Sequence, residues 1–147
     1  ASGIIKCLPL ILEDNEIIES LSLAAGADGE GIDLVTNKRI AEFKFSRWQD
    51  KVANGSRKRQ VFADLVSLYL NVRDSKKELY VYNADKVLSF FKSEKAQWKN
   101  VLSKSGGLDK RLEKFLELNN VKAKYMNEIF IISKVKVIDI DTVFLRL

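Results

Sequence analysis

The chain has 147 residues, of which 46% are hydrophobic and 31% are charged; this composition excludes a disordered or fibrous protein and indicates one soluble globular domain. Its 25 basic and 20 acidic side chains give a net charge of +5, which favours a polyanionic partner. The sequence has no histidine and only one cysteine, which excludes histidine-based hydrolysis, histidine-ligated metals, intrachain disulfides and cysteine zinc clusters.

Hydrophobic periodicity along the chain predicts one α/β domain in which helices alternate with short strands. In the first part of the chain we predict a helix from Pro9 to Gly26, a loop over 26–31, and a hairpin of strands 32–36 and 39–45. A polar loop over 47–55 then leads to a helix from Arg57 to Leu70, with Ser56 as its cap, and to a strand over 79–82. The last part is predicted to contain a helix from Asn83 to Gly106-Gly107, a helix from Leu108 to Asn119, and one or two strands between Glu128 and Leu147.

The composition also limits the chemistry that this chain can perform. Cys7 is interpreted as a small buried hydrophobe. An enzyme of this composition would use carboxylates, lysine, arginine, tyrosine, or a hard metal ion bound through oxygen. The apolar runs are much shorter than a membrane span and no signal-peptide pattern opens the chain, so we expect action in the cytoplasm and no membrane contact.

The predicted hairpin brings two carboxylates and a lysine to one face of a sheet. If residues 37–38 form a two-residue turn, Asp33 lies directly opposite Glu42, and opposed Cβ atoms are about 4.5–5.5 Å apart. Lys44 follows two residues after Glu42 and therefore points to the same face. Two opposed acids destabilise a sheet unless a cation lies between them. Carboxylates with a backbone carbonyl, here that of Phe43, suit magnesium.

The same three side chains also fit a simpler interpretation. They could form the solvated face of an ordinary antiparallel hairpin, with Lys44 neutralising the two acids. Val35 and Ile40 are predicted on that same face, which indicates that it is partly covered. Burial raises the free energy of unpaired carboxylates, and this favours a functional role for them.

At these residues the chain resembles the PD-(D/E)XK nuclease superfamily, which has the restriction-endonuclease-like fold. The family signature is an acidic residue on one strand and Glu/Asp-x-Lys on the next strand of a hairpin. Asp33 stands at the first position and Glu42-Phe43-Lys44 at the second, with Ile32 in place of the common proline. The order of helix, hairpin, helix and strand also matches the family core.

The resemblance implies a three-layer α/β fold with a central mixed sheet flanked by helices. It implies one nuclease-like domain over residues 1–147, with a family-like core at about 10–92 and a C-terminal elaboration at 93–147. Within the superfamily the chain is similar to toxin-type and restriction-type modules. That similarity is compatible with a neutralising protein partner, with a homodimer, and with secretion as part of a larger toxin.

The implied activity is an endonuclease that uses Mg²⁺ or Mn²⁺ to hydrolyse phosphodiester bonds of DNA or RNA. Asp33 and Glu42 would hold the metal, while Lys44 would orient or activate the attacking water and stabilise charge on the phosphorus. The resemblance also implies an acidic ligand from the first helix. The candidate is Glu16, with Glu13 and Glu19 as alternatives, although a solvated helix charge is the more common interpretation for any one of them.

A basic cluster opens the second predicted helix. It consists of Arg57, Lys58, Arg59 and Gln60. Cations at a helix N-terminus oppose the helix dipole, so they favour a phosphate-binding role together with the free backbone amides. Arg47 and Trp48 follow the strand that carries Glu42 and Lys44, and they could hold a nucleic-acid backbone and stack a base. A solubilising charge cluster explains the same residues equally well.

A second class of function remains open at this point. The chain could be a non-catalytic module that binds nucleic acid or a protein on a nuclease-like fold. A different magnesium-dependent phosphoryl-transfer enzyme is disfavoured, because the sequence has no glycine-rich phosphate loop of the Walker type.

Overall fold

The computed structural model describes residues 2–22, 32–47 and 54–147. In chain order its elements are α1 (Ser2–Ile11), β1 (Ile18–Leu21), β2 (Leu34–Thr36), β3 (Arg39–Lys44), α2 (Asn54–Leu70), β4 (Lys76–Val81), α3 (Ala84–Phe91), α4 (Trp98–Val101), α5 (Leu108–Leu118), α6 (Met126–Ser133), β5 (Lys136–Asp139) and α7 (Ile140–Phe144).

The five strands form one mixed sheet in the order β1-β2-β3-β4-β5. The first three pair antiparallel, whereas β3, β4 and β5 run parallel to one another. Parallel neighbours need long crossovers; α2 lies in the first, and α3 to α6 lie in the second. The predicted α/β class, with a mixed sheet flanked by helices, is therefore confirmed.

The register of the β2–β3 hairpin is the one that the sequence predicts. Leu34 pairs with Ala41 and Val35 pairs with Ile40. The turn at residues 37–38 is not a favoured Asn-Gly pair. Instead, the hydroxyl of Thr36 accepts hydrogen bonds from the backbone amides of residues 38 and 39, both at 3.0 Å. A buried threonine thus stabilises the turn that sets the register.

Each face of the sheet carries its own hydrophobic core. On one face, Val35, Ile40 and Leu79 pack with apolar residues of α2, α3, α5 and α6. On the other face, Leu34 and Ala41 pack with residues of α1 and α7. Cys7 lies in the second core and is fully buried, which confirms its interpretation as a small hydrophobe. Since side chains alternate along β3, Glu42 and Lys44 belong to the α2 face.

The first predicted helix is wrong in its position and length. The helix ends at Ile11, and the segment predicted as its continuation forms the edge strand β1. Ile17 and Ile18, whose spacing resembled the buried face of a helix, are 65% and 40% exposed. Pairing of β1 with β2, more than ten residues further along the chain, decides this segment and overrides local periodicity.

The C-terminal third also differs from the prediction. The helix predicted from Asn83 to Gly106 is divided into α3 and α4, because residues 97 and 98 pair instead with the segment before α6. The strand predicted from Glu128 is helix α6, and the Glu128 carboxylate accepts a hydrogen bond from the backbone amide of Tyr125 at the start of this helix, at 3.0 Å. Only β5 confirms the strand expected in this region. Among the described residues, no helix is both long enough and apolar enough to cross a membrane.

Candidate active site on the hairpin and the second helix

The structure brings Asp33, Glu42 and Lys44 together on the α2 face of the sheet. Asp33 immediately precedes β2, and its backbone amide donates a hydrogen bond to Oε1 of Glu42 at 3.2 Å. In return, Oδ2 of Asp33 accepts a hydrogen bond from the backbone amide of Phe43 at 2.9 Å. These two bonds fix both carboxylates at the end of the hairpin. The phenyl ring of Phe43 packs on the opposite face, and its carbonyl remains a predicted metal ligand.

Glu42 is an acid in a strongly unfavourable environment for its charge. It is only 5% exposed. Burial, followed by the nearby carboxylates of Asp64 and Asp33, raises its pKa from the ordinary 4.5 to about 9, against an opposing effect of Lys44. A carboxyl group of this kind, in a cluster of titratable groups, is typical of functional sites. A bound cation would favour its ionised form.

Asp64 is a fourth member of this site that the sequence analysis did not identify. Its Oδ2 lies 3.0 Å from Nζ of Lys44. That oxygen is closed to solvent. Burial raises the pKa of Asp64 to about 6, although Lys44 opposes the shift. Asp64 is therefore a carboxylate on α2 that faces Lys44 on β3.

A sequence signal for Asp64 does exist. It is the only acidic residue between Asn54 and Leu70, and it lies three residues after Val61 and four before Leu68, which are both buried. An acid on the apolar face of an amphipathic helix is unusual and calls for an explanation. The ion pair with Lys44, on the face of the hairpin that α2 covers, supplies that explanation.

Lys44 is held as an ammonium ion. Burial alone would lower its pKa, but the charge and hydrogen bond of Asp64, followed by the charges of Glu42 and Asp33, raise it above the ordinary 10.5. Its side chain remains 36% exposed, so the cation can reach a ligand from solvent. Lys44 can therefore stabilise negative charge, whereas it is poorly suited to remove a proton from water.

The donor set of the site suits a hard divalent cation. Three carboxyl groups lie near one ammonium group, a bound cation would favour the ionised form of all three, and oxygen atoms are the ligands that Mg²⁺ prefers. Within the three described ranges, no group of three or more His, Cys, Asp or Glu side chains is arranged to hold a metal ion. A metal on Asp33 and Glu42 would therefore take its other ligands from water and backbone carbonyls, as Mg²⁺ commonly does.

The structure does not bring Glu16 to this site, and its prediction as a metal ligand is wrong. Glu16 lies in the turn between α1 and β1, and its side chain is fully buried. Its carboxylate accepts hydrogen bonds from Nε of Arg39 at 2.7 Å and from the hydroxyl of Thr36 at 2.6 Å. The two alternatives are also paired, Glu13 with Lys76 and Glu19 with Arg73.

Glu16 belongs instead to a buried ion cluster around Arg39. The Arg39 guanidinium also donates to Glu78 at 2.7 Å and to the carbonyl of Ile11 at 2.9 Å. Burial of the Glu16 carboxyl opposes its ionisation, but the hydrogen bonds and charge of Arg39, with further hydrogen bonds, lower its pKa to about 2. Every charge in this cluster thus has a partner of opposite sign.

The basic cluster lies in the first two turns of α2. Arg59 and Gln60 are exposed and line a cavity of about 240 Å³ together with Lys104. Lys104, from the loop between α4 and α5, extends the basic surface beyond the residues predicted from the sequence. Lys58 lies 5.5 Å from the ring centroid of Phe90.

Arg47 has protein partners of its own. Its guanidinium lies 4.0 Å from the ring centroid of Tyr82 and 3.2 Å from a carboxylate oxygen of Asp141. Arg57 donates a hydrogen bond to the Arg47 carbonyl. Trp48, predicted to stack a base, lies outside the described residues. Nucleic-acid binding by this surface stays a prediction.

Comparisons of the chain with protein-family models, with curated proteins and with solved structures find no match. The geometry and charge of the site therefore have to carry any functional conclusion.

The Arg39 cluster gives a testable dependence of stability on pH. Since the pKa of Glu16 is about 2 in the folded protein and ordinarily 4.5, its stabilising effect is complete above pH 4.5 and is lost as the pH falls toward 2. The free energy of unfolding should therefore differ between the wild type and Glu16→Gln by up to about 3 kcal/mol near neutral pH. We expect this difference to shrink through that window in urea titrations.

Glu94→Gln, which changes an exposed acid, is the control for these titrations and should follow the wild type at every pH. A difference between the wild type and Glu16→Gln that does not change with pH would contradict the assignment of this ion cluster.

Proposed function

We propose that the protein is a metal-dependent nuclease that hydrolyses phosphodiester bonds of DNA or RNA. The observation that carries the proposal is the convergence of Asp33, Glu42 and Lys44 at the end of the β2–β3 hairpin, with a buried Glu42 whose pKa is about 9. A restriction-endonuclease-like core is part of the proposal. It is supported by the antiparallel hairpin followed by a crossover helix and a parallel strand.

In this proposal Asp33 and Glu42 hold Mg²⁺ or Mn²⁺, with the Phe43 carbonyl and water as further ligands. When bound, the metal would neutralise charge on the phosphate and lower the pKa of a coordinated water. The backbone hydrogen bonds of Asp33 and Phe43 keep the two carboxylates in place before substrate arrives, so little reorganisation is needed.

Lys44 has a separate role from the two acids. Its ammonium stabilises the negative charge on the phosphate oxygens during attack by water. The raised pKa of Lys44 favours this electrostatic role over proton removal. Substrate would approach along the exposed basic residues at the start of α2, which supply cations for the phosphate backbone.

A second candidate function is a non-catalytic module that binds nucleic acid or a protein. One observation favours it: the described acidic side chains do not already form a group of three metal ligands. Such a module would keep the basic surface and would use the carboxylate cluster only as a recognition surface. The two candidates differ in whether phosphodiester bonds are cut.

The first test of the proposal is cleavage. Glu42→Gln and Lys44→Gln nearly preserve side-chain size but remove the charges that we assign to metal binding and charge stabilisation. With plasmid DNA or total tRNA as substrate, the wild type should cut in Mg²⁺ and not in chelator. Each variant should lose at least about 100-fold in rate, typical of removing one electrostatic group. Glu94→Gln should retain wild-type activity.

Equal rates for the wild type and both variants would place the active site elsewhere. A wild type that binds nucleic acid but cuts neither substrate with Mg²⁺ or Mn²⁺ would instead support the non-catalytic module.

Metal binding can be measured without any substrate. A ligand that binds only the folded state raises the unfolding temperature, and the rise grows with the logarithm of the ratio of ligand concentration to dissociation constant. We expect Mg²⁺, and Ca²⁺ as a non-catalytic probe, to raise the unfolding temperature of the wild type. Glu42→Gln should show a much smaller rise, whereas Lys44→Gln should keep it, because only the first change removes a ligand. Equal rises in all three proteins would exclude Glu42 as a ligand.

The basic surface makes a separate contribution that salt can reveal. Each phosphate contact contributes about 0.9 to the slope of log binding constant against log salt concentration. Replacing Arg57 and Arg59 by alanine should therefore weaken binding and reduce that slope by up to about 2. The matched control is Lys110→Ala with Lys114→Ala on α5, which changes net charge equally. An identical reduction in both double variants would indicate a general effect of net charge.

A further inference from the structure

We infer that Asp64 is a positioning residue that holds the ammonium group of Lys44 in place beside the Asp33 and Glu42 carboxylates. The inference rests on the proposed nuclease function, because Lys44 has its catalytic role there. It assigns a function to a residue of α2 that lies outside the hairpin pattern.

The contact itself is direct and enclosed. Oδ2 of Asp64 lies 3.0 Å from Nζ of Lys44, and the Asp64 side chain is only 19% exposed. That oxygen is closed to solvent, so the Lys44 ammonium is the partner that compensates its charge. Val61 and Leu65, on the same side of α2, are buried in the core and fix the helix that carries the carboxylate.

Packing alone does not account for an acid at this position. Replacing a buried ion pair by apolar side chains is often neutral or stabilising, so such a pair is weak evidence for a purely structural role. The free-energy cost of burying this acid is increased further, because Asp64 is close enough to Glu42 and Asp33 to repel both. A carboxylate that adds repulsion to an already crowded acidic site is expected where function requires it.

The function that Asp64 can supply follows from the chemistry of lysine. An ammonium on a flexible four-carbon stem can occupy many positions, and Asp33 and Glu42 would attract it to the oxygen atoms that we assign to the metal. In the structure, Lys44 instead makes its ion pair with Asp64. Asp64 thus draws the cation to one side and leaves the oxygen atoms of the hairpin acids for a metal.

The experiment compares Asp64→Asn with the wild type. Asparagine has nearly the same shape but no charge, and it removes one of three mutually repelling acids, so the variant should fold. Misplacement of a catalytic group by about 1 Å can lower a rate about 100-fold. We therefore expect kcat to fall by about 10- to 100-fold, with KM and the Mg²⁺ concentration for half-maximal rate unchanged. A purely structural role would lower the unfolding temperature without this separation of kcat from KM.

Coupling to Lys44 is tested in a double variant. If Asp64 acts through Lys44, Asp64→Asn should have no further effect on kcat in a Lys44→Gln background. Asp64→Glu keeps the charge and should restore part of the activity. A reduction of kcat by Asp64→Asn of the same size in both backgrounds would overturn the inference. An increased Mg²⁺ requirement would also overturn it, because Asp64 would then be a metal ligand.

A readout that needs no activity separates this inference from the proposed function. NMR of a protein labelled at lysine Nζ reports the Lys44 ammonium directly. Asp64→Asn should lower the pKa of Lys44 and change its Nζ resonance, whereas Glu94→Gln should do neither. An unchanged Lys44 resonance refutes the contact even if the protein is a nuclease. A changed resonance in a protein that never cuts nucleic acid confirms the contact and refutes the catalytic role.

Discussion

The guanidinium group of Arg39, on β3, bonds to three other segments of the chain. It binds Glu16 in the turn before β1, Glu78 on β4 and the last carbonyl of α1. Glu16 also accepts a hydrogen bond from Thr36, whose hydroxyl stabilises the hairpin turn. The register of β2 against β3 is thus fixed at the turn of the hairpin. A slip by one residue would move every side chain to the opposite face, and the carboxylates would no longer meet.

On the two faces of β3, the pKa values of buried glutamates are shifted in opposite directions. On the α1 face, Glu16 and Glu78 each accept a hydrogen bond from the Arg39 guanidinium, and the pKa of Glu16 falls to about 2. On the α2 face, three acids share one lysine, and the pKa of Glu42 rises to about 9. Both clusters are largely buried, so burial alone does not explain the difference. Direct hydrogen bonds to Arg39 outweigh the effect of burial at Glu16, whereas at Glu42 the neighbouring acids add to the effect of burial.

The parts of this architecture that the sequence predicts are those that depend on local pattern. Alternating residues in the hairpin predict its register, and helical spacing after Arg57 predicts most of α2. Edge strand β1 is not predictable in this way, because its pairing partner is distant in sequence and its isoleucine, Ile18, is exposed, as is the preceding Ile17. Glu16 was assigned to the wrong site for the same reason. A role for Asp64 can be inferred only when α2 is known to pack over the face that carries Lys44.

The ion pair between Lys44 and Asp64 also changes how Lys44 should be tested. Truncation to alanine would leave the Asp64 carboxylate largely buried without its cation, and removing one partner of a buried pair is destabilising. Because Lys44 is 36% exposed, the cost should lie below the 3–5 kcal/mol typical of fully buried pairs. A loss of activity in Lys44→Ala would therefore combine lost chemistry with partial unfolding. Removing the charge of Asp64 in the same protein separates the two effects, since no unpaired carboxylate then remains on α2.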